Sequence, residues 1–155
     1  MSAAASALTV LICDDDVRIR EALRDVIDAQ PDLTVIALAA DADQAVAFAA
    51  RGHPDVAIID VRMPGGGAAT ARELRDHSPD TRILAFSAHH DNGAIREMEQ
   101  AGALDYVVKG APIRDIVSAV RRVGSAESPD GLIPDDAASD DAASDDAASD
   151  GPAGR

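Results

Sequence analysis

Apolar residues in this chain come in two patterns that alternate five times: short unbroken blocks, and longer stretches where they recur every three or four positions. Residues 8–13 form the first block, and a continuous apolar run of six suits a strand buried on both faces. After Asp14-Asp15-Asp16 the spacing changes, with Ile19, Leu23, Val26 and Ile27 at helical intervals and Arg18, Arg20, Arg24 and Asp25 left for solvent. Asp15 or Asp16 can cap that helix, because a carboxylate satisfies free backbone N–H groups at its start. Gln30-Pro31-Asp32 breaks it. A second strand is expected over 33–38, and an Ala-rich helix with Val46 and Phe48 over about 41–51. Gly52-His53-Pro54 then turns into a third strand, 55–59, that runs up to Asp60. A loop with Pro64 and Gly65-Gly66-Gly67 leads to a helix near 69–76, and a fourth strand follows at 81–86. A helix around 94–101 with Gly102 as its C-cap precedes a fifth strand, 104–108. The last helix has Pro112 in its first turn, a stripe of Ile113, Ile116, Val117 and Val120, and Gly124 at its close.

Alternating strands and helices with short turns imply an α/β fold with a parallel sheet covered on both faces. Five strands with right-handed crossovers leave few topologies, of which the flavodoxin-like (βα)5 order 2-1-3-4-5 is the expected one. In that order winding reverses between strands 1 and 3, and ligands bind beyond the strands' carboxyl ends there. Residues 1–7 read as a flexible N-terminus and 8–124 as one folded domain. From Ser125 the character changes: residues 135–149 are three copies of Asp-Asp-Ala-Ala-Ser, with no apolar side chain larger than Ala. Such a segment cannot bury enough surface to offset its ordering entropy, so 125–155 reads as an acidic, low-complexity, disordered tail. It is expected to be a solvated tail, with docking to a basic partner as the alternative.

Charge narrows the function classes. The net charge is −14, and residues 130–155 hold eight acids and one base, leaving 20 acids and 13 bases elsewhere. Both parts carry −7 and repel nucleic acid, so direct nucleic-acid binding is not expected. One cysteine, Cys13, leaves no intramolecular disulfide and has no zinc spacing around it; it reads as a small core residue. The apolar stretch at the N-terminus is short, lacks a basic residue before it and ends on three acids, which fits neither a signal peptide nor a membrane span. A cytoplasmic protein without membrane contact is expected.

The candidate chemistry lies at the strand ends. Asp14 and Asp15 follow strand 1 and Asp60 ends strand 3, and the expected order makes these strands neighbours. Three carboxylates converging on one crevice are costly unless something neutralises them. A hard divalent cation is the natural remedy, and Mg²⁺ fits because it takes few protein ligands and keeps waters. Ser87 at the end of strand 4 and Lys109 at the end of strand 5 add a hydroxyl and an ammonium, donors suited to the oxygens of a transferring phosphoryl group.

Four segments carry a resemblance: Val10-Leu11-Ile12-Cys13-Asp14-Asp15, residues 55–64 through Asp60-Val61-Arg62-Met63-Pro64, residues 83–88 through Phe86-Ser87-Ala88, and residues 102–109 through Tyr106-Val107-Val108-Lys109. In this order they resemble the receiver domain of bacterial response regulators (CheY-like) over about residues 8–124. The resemblance implies Asp60 as phospho-acceptor, a histidine kinase or phosphotransfer protein as donor, and Mg²⁺ as cofactor. Asp15 and Asp60 would ligate the metal directly, Asp14 mainly through water, and the backbone carbonyl of Arg62 would complete the site. Lys109 would pair with phosphoryl oxygens, while Ser87 and Tyr106 would be the switching residues. The chain would be no enzyme beyond self-catalysed phosphorylation and dephosphorylation of the aspartate.

The sequence departs from the family in places. Gly65-Gly66-Gly67 runs into Ala68-Ala69 where an Asp-Gly pair is usual, and Lys109 is followed by Gly110-Ala111-Pro112, as in regulators with a helix-turn-helix output. Only 31 residues follow Gly124, so a stand-alone receiver is expected, signalling to an unknown downstream protein or acting as a phosphate sink. A homodimer could form through the helix near Ile95, the fifth strand and the last helix. The alternative reading of Tyr106 is strand packing. His89 could affect water access to a modified Asp60, whereas a metal role for His89 and His90 lacks partner ligands. Two other readings compete: a receiver-like adaptor that ignores phosphorylation, and a Mg²⁺-dependent phosphohydrolase using Asp14 and Asp16. The second resembles the haloacid dehalogenase pattern, but Arg18 stands where that pattern wants Thr or Val, and the acidic pair it needs beyond Lys109 is offered only by the tail. Separately, Gly65-Gly66-Gly67 do not make a nucleotide loop, because no Gly-x4-Gly-Lys-Ser/Thr follows.

Overall fold

The computed structural model describes residues 6–88 and 91–126. The flexible N-terminus and the acidic tail expected from the sequence lie almost entirely outside these, as do His89 and His90. Strands β1 (Leu8–Cys13), β2 (Leu33–Ala39), β3 (Val56–Asp60), β4 (Arg82–Ser87) and β5 (Ala103–Val108) alternate with helices α1 (Val17–Asp28), α2 (Ala42–Gly52), α3 (Gly67–His77), α4 (Asn92–Gln100) and α5 (Ile113–Gly124). All strand pairs are parallel, and the sheet order is β2-β1-β3-β4-β5. The flavodoxin-like doubly wound α/β fold is therefore the observed one, with its switch point between β1 and β3.

Strand residues alternate between two cores, as the period of two requires. Val10, Ile12, Val56, Ile58, Leu84 and Phe86 face α1 and α5, where Leu23, Ile27, Ile116, Val117, Val120 and Val123 close the layer. Leu11, Cys13, Ala57, Ile59, Ile83 and Ala85 face the other way, onto Ala45 and Ala49 of α2, Ala71 and Leu74 of α3 and Met98 of α4. Every residue of β3 is buried, which is why its segment reads as an unbroken apolar run.

Several element ends differ from the sequence reading by one or two residues, and at the helices caps account for much of the difference. Asp16, Asp41 and Asp91 each lie just outside a helix and accept from a backbone N–H of its first turn. Asp41 therefore precedes α2 instead of opening it, and α4 begins at Asn92, two residues earlier than its apolar pattern. Pro112 is the N-cap of α5, not part of its first turn, and Ser125 follows Gly124 as its C-cap. Ala101 is the C-cap of α4, and Gly102 takes the positive φ just after it. The glycine run also has structural reasons. A Cβ on Gly67 would lie 2.7 Å from the carbonyl oxygen of Asp60, so α3 starts against the backbone of the third strand's end. Gly66, at φ +92°, makes the turn that brings it there.

Candidate functional site

The carboxyl ends of β1 and β3 place Asp14, Asp15 and Asp60 together. One oxygen from each can be chosen so that all three lie within 4.8 Å of one another. Asp14 and Asp60 are buried, at 1% and 4% exposure, while Asp15 is exposed at the rim. Burying two carboxylates side by side needs compensation, and two kinds are present. Backbone amides supply the first: the N–H of Asp16 donates to Asp14 Oδ1 at 2.9 Å, and the N–H of Arg62 donates to Asp60 Oδ1 at 3.1 Å. Lys109 supplies the second, with Nζ 3.0 Å from Asp14 Oδ2 and 3.4 Å from Asp60 Oδ2. The remainder is left over. Asp14 Oδ2 is buried without an aligned hydrogen bond, so its one close partner is the lysine charge.

Protonation follows this arrangement. Burial pushes the Asp60 carboxyl above the usual aspartate range; the amide of Arg62 opposes the shift, the charge of Asp14 adds to it, and Lys109 opposes it. Burial also works against the charge on Lys109, but Asp14 and Asp60 together outweigh it and raise its pKa. Cys13, beneath the acids and 3.2 Å from Met63 Sδ, is pushed up to about 12 by burial and by the charges of Asp14, Asp41 and Asp60, and is thus a thiol at neutral pH.

Strands β4 and β5 bring the other expected residues to the same edge. Ser87 is buried at the last position of β4, and its carbonyl accepts from the N–H of Lys109 at 2.6 Å, which ties the two strand ends together. The N–H of Val61 donates to the Phe86 carbonyl at 3.0 Å, tying the loop after Asp60 to β4. Lys109 Nζ stands over the Phe86 ring at 5.5 Å, a second anchor for its direction. Tyr106, on β5, is half-buried and packs against the core that α2, α3 and α4 cover. Asp16 is not part of the cluster: its carboxylate accepts from the Arg18 N–H and pairs with the Arg18 guanidinium.

Two arginines acquire roles that spacing concealed. Arg20, expected in solvent, instead turns back six residues, and Nη1 donates to the backbone carbonyl of Asp14 at 2.7 Å. Helical periodicity places its Cα outward but says nothing of a long side chain reaching over the helix start. Arg62 pairs with Asp91 at 2.9 Å, joining the loop after Asp60 to the cap of α4.

Among the described residues no helix is long and apolar enough to cross a membrane. Comparisons with known proteins agree with the architecture. The chain is 35% identical over 120 residues to the DNA-binding transcriptional activator DevR/DosR of Mycobacterium tuberculosis, covering 77% of this chain and 55% of that one. It is 31% identical over 121 residues to the response regulator UvrY of Escherichia coli, covering 77% and 56%. The chain thus spans about half the length of the curated relatives it matches. Among solved structures, the signal receiver domain of the putative response regulator NarL from M. tuberculosis superposes with a TM-score of 0.73 at 30% identity, covering 77% of this chain and 98% of that one. The family model described as "Response regulator receiver domain" matches residues 10–121. With that match extending from β1 into α5, over a fold of the same strand order, the chain belongs to the family of response regulator receiver domains.

Proposed function

We propose that this domain is the phosphorylation switch of a two-component phosphorelay, with Asp60 as the acceptor. The reading rests above all on the convergence of Asp14, Asp15 and Asp60 on one rim, with Lys109 held against two of them. A carboxylate oxygen of Asp60 attacks the phosphorus of a phosphohistidine on a histidine kinase or phosphotransfer protein. The P–N bond breaks, its electron pair stays on the imidazole nitrogen, and that nitrogen takes a proton from solvent.

The donor set fits Mg²⁺, since all of it is hard oxygen and the buried Asp14 Oδ2 has the Lys109 ammonium as its one close partner among the described residues. Asp15 and Asp60 would hold the ion directly, Asp14 through water, with the Arg62 carbonyl completing the set. When bound, the ion supplies positive charge against which phosphoryl oxygens can gather. Lys109 then turns from its carboxylates to a phosphoryl oxygen, and the Ser87 hydroxyl takes another. Tyr106 follows Ser87, and the change leaves the domain through its surface towards a protein partner. Moving a two-state equilibrium from 1:99 to 99:1 takes about 5.5 kcal/mol. Two or three new charge-assisted hydrogen bonds, at about 1.5–3 kcal/mol each, are of that order. The domain performs this chemistry on itself and turns over no substrate. Its acidic balance speaks for protein over nucleic-acid contact by the domain itself.

The test is incubation with Mg²⁺ and a small phosphodonor, read by intact mass. One added phosphoryl group on the wild type and none on Asp60→Asn is expected. Equal gain by both would refute the assignment, and no gain by either would remove the phosphorylation reading and favour the adaptor.

A further inference from the structure

We infer that Arg20 is a positioning residue for the metal-binding acids, acting through the peptide between Asp14 and Asp15; the inference rests on the Mg²⁺ reading above.

Asp14 is fixed on every side but one. Its N–H donates to the Ala39 carbonyl at 3.0 Å, its Oδ1 accepts from the Asp16 N–H, and its Oδ2 faces Lys109. Asp15 has none of these restraints. It is the exposed member of the trio, and its Cα direction follows the orientation of the peptide plane that joins it to Asp14. Among the described residues the hydrogen bond to that plane is the one from Arg20 Nη1 to the Asp14 oxygen, at 2.7 Å, short and charge-assisted. Arg20 itself sits on the first turn of α1, whose start is held by the Asp16 cap and by the Arg20 N–H to Asp16 carbonyl bond at 3.1 Å. The guanidinium therefore transfers the rigidity of α1 to the one peptide whose rotation would swing Asp15 away from Asp14 and Asp60.

This role has a signature opposite to that of simple charge. A cation beside an acid cluster repels an incoming Mg²⁺, so a residue acting by charge alone would, when removed, let the metal bind more tightly. A residue that orients the ligands would, when removed, weaken the metal. Partners standing behind metal ligands typically govern affinity by about 10–100-fold.

The experiment is calorimetric Mg²⁺ titration of the full chain as wild type, Arg20→Met and Arg20→Lys, with thermal melts in the absence of divalent ions. Methionine keeps much of the stem, and lysine keeps both the charge and a donor. We expect Arg20→Met to weaken Mg²⁺ at least about tenfold and Arg20→Lys to restore it to within about threefold of wild type. Unchanged or tighter Mg²⁺ binding by Arg20→Met overturns the inference, even if its melting temperature falls. Should Arg20→Met not fold, Arg20→Gln takes its place under the same criteria. A wild type with no saturable Mg²⁺ binding instead sinks the metal reading itself, a result distinct from a wild type that binds and a variant that binds equally.

Discussion

The two faces of the sheet are built from different material. Under α1 and α5 the buried residues are almost all large, with Ala119 the single alanine among sixteen. Under α2, α3 and α4 eight of fifteen are alanine. A fully buried Val or Ile contributes about 1.5–3 kcal/mol, against about 0.8 for a methyl group, so helices on the second face are held more by fit than by bulk. On the first face α5 buries Ile116, Val117, Val120 and Val123, whereas on the second α4 buries only Ile95 and Met98 and α2 only Ala45 and Ala49. Ser87 lies between the site and the loop to α4, and Tyr106 packs on the alanine-rich side. Fixed acids are thus carried by strands between both layers, while the expected switching residues border the layer that is cheaper to shift.

The comparison can be broken by substitutions on each face. Ile58→Ala, on the bulky face, should cost about 3 kcal/mol by opening a cavity, read as a lowered urea midpoint. Ala85→Leu, on the opposite face, should cost about 2 kcal/mol by forcing α3 or α4 outward. If Ala85→Leu is neutral, the second layer has slack and the contrast in packing fails. Asp91→Ala removes the cap of α4 and its tie to Arg62, and should cost about 1 kcal/mol. Hydrogen exchange sharpens this case: α4 amides should already exchange faster than those of α5 in wild type, and this variant should speed α4 alone. Equal protection of the two helices would contradict the account.

The smallest shift concerns Asp60 and is a gain. Burial raises its carboxyl above the ordinary range, so the folded chain holds this proton more tightly than the unfolded one. The stability this confers is complete below the unfolded value of about 4 and is lost as pH rises through the folded value. Without divalent ions, Asp60→Asn should therefore have the higher urea midpoint at neutral pH. The gap should close as pH falls towards about 4, and a gap independent of pH would assign the difference to packing instead.

Much of this was legible in the chain because burial and charge act locally. β1 and β3 lie between two helix layers, and so their apolar runs are unbroken up to Asp14 and Asp60. The order β2-β1-β3-β4-β5 then made neighbours of residues 46 positions apart. Boundaries were less legible, since Asp41 and Asp91 are compatible with a helix by composition and become caps only through backbone geometry. Gly67 read as loop because its place in α3 depends on contact with the end of β3. Arg20 and Arg62 were concealed for a related reason: long side chains choose partners brought near only by the fold.

The most direct test of the central claim locates the phosphoryl group chemically. Wild-type chain treated with Mg²⁺ and a small phosphodonor is reduced with borohydride, which converts an aspartyl phosphate to homoserine, and its peptides are sequenced by mass spectrometry. Homoserine at position 60 alone, and only when Mg²⁺ was present, is the expected result. Homoserine at position 14 or 15, or at 60 to the same extent without a divalent cation, would contradict it.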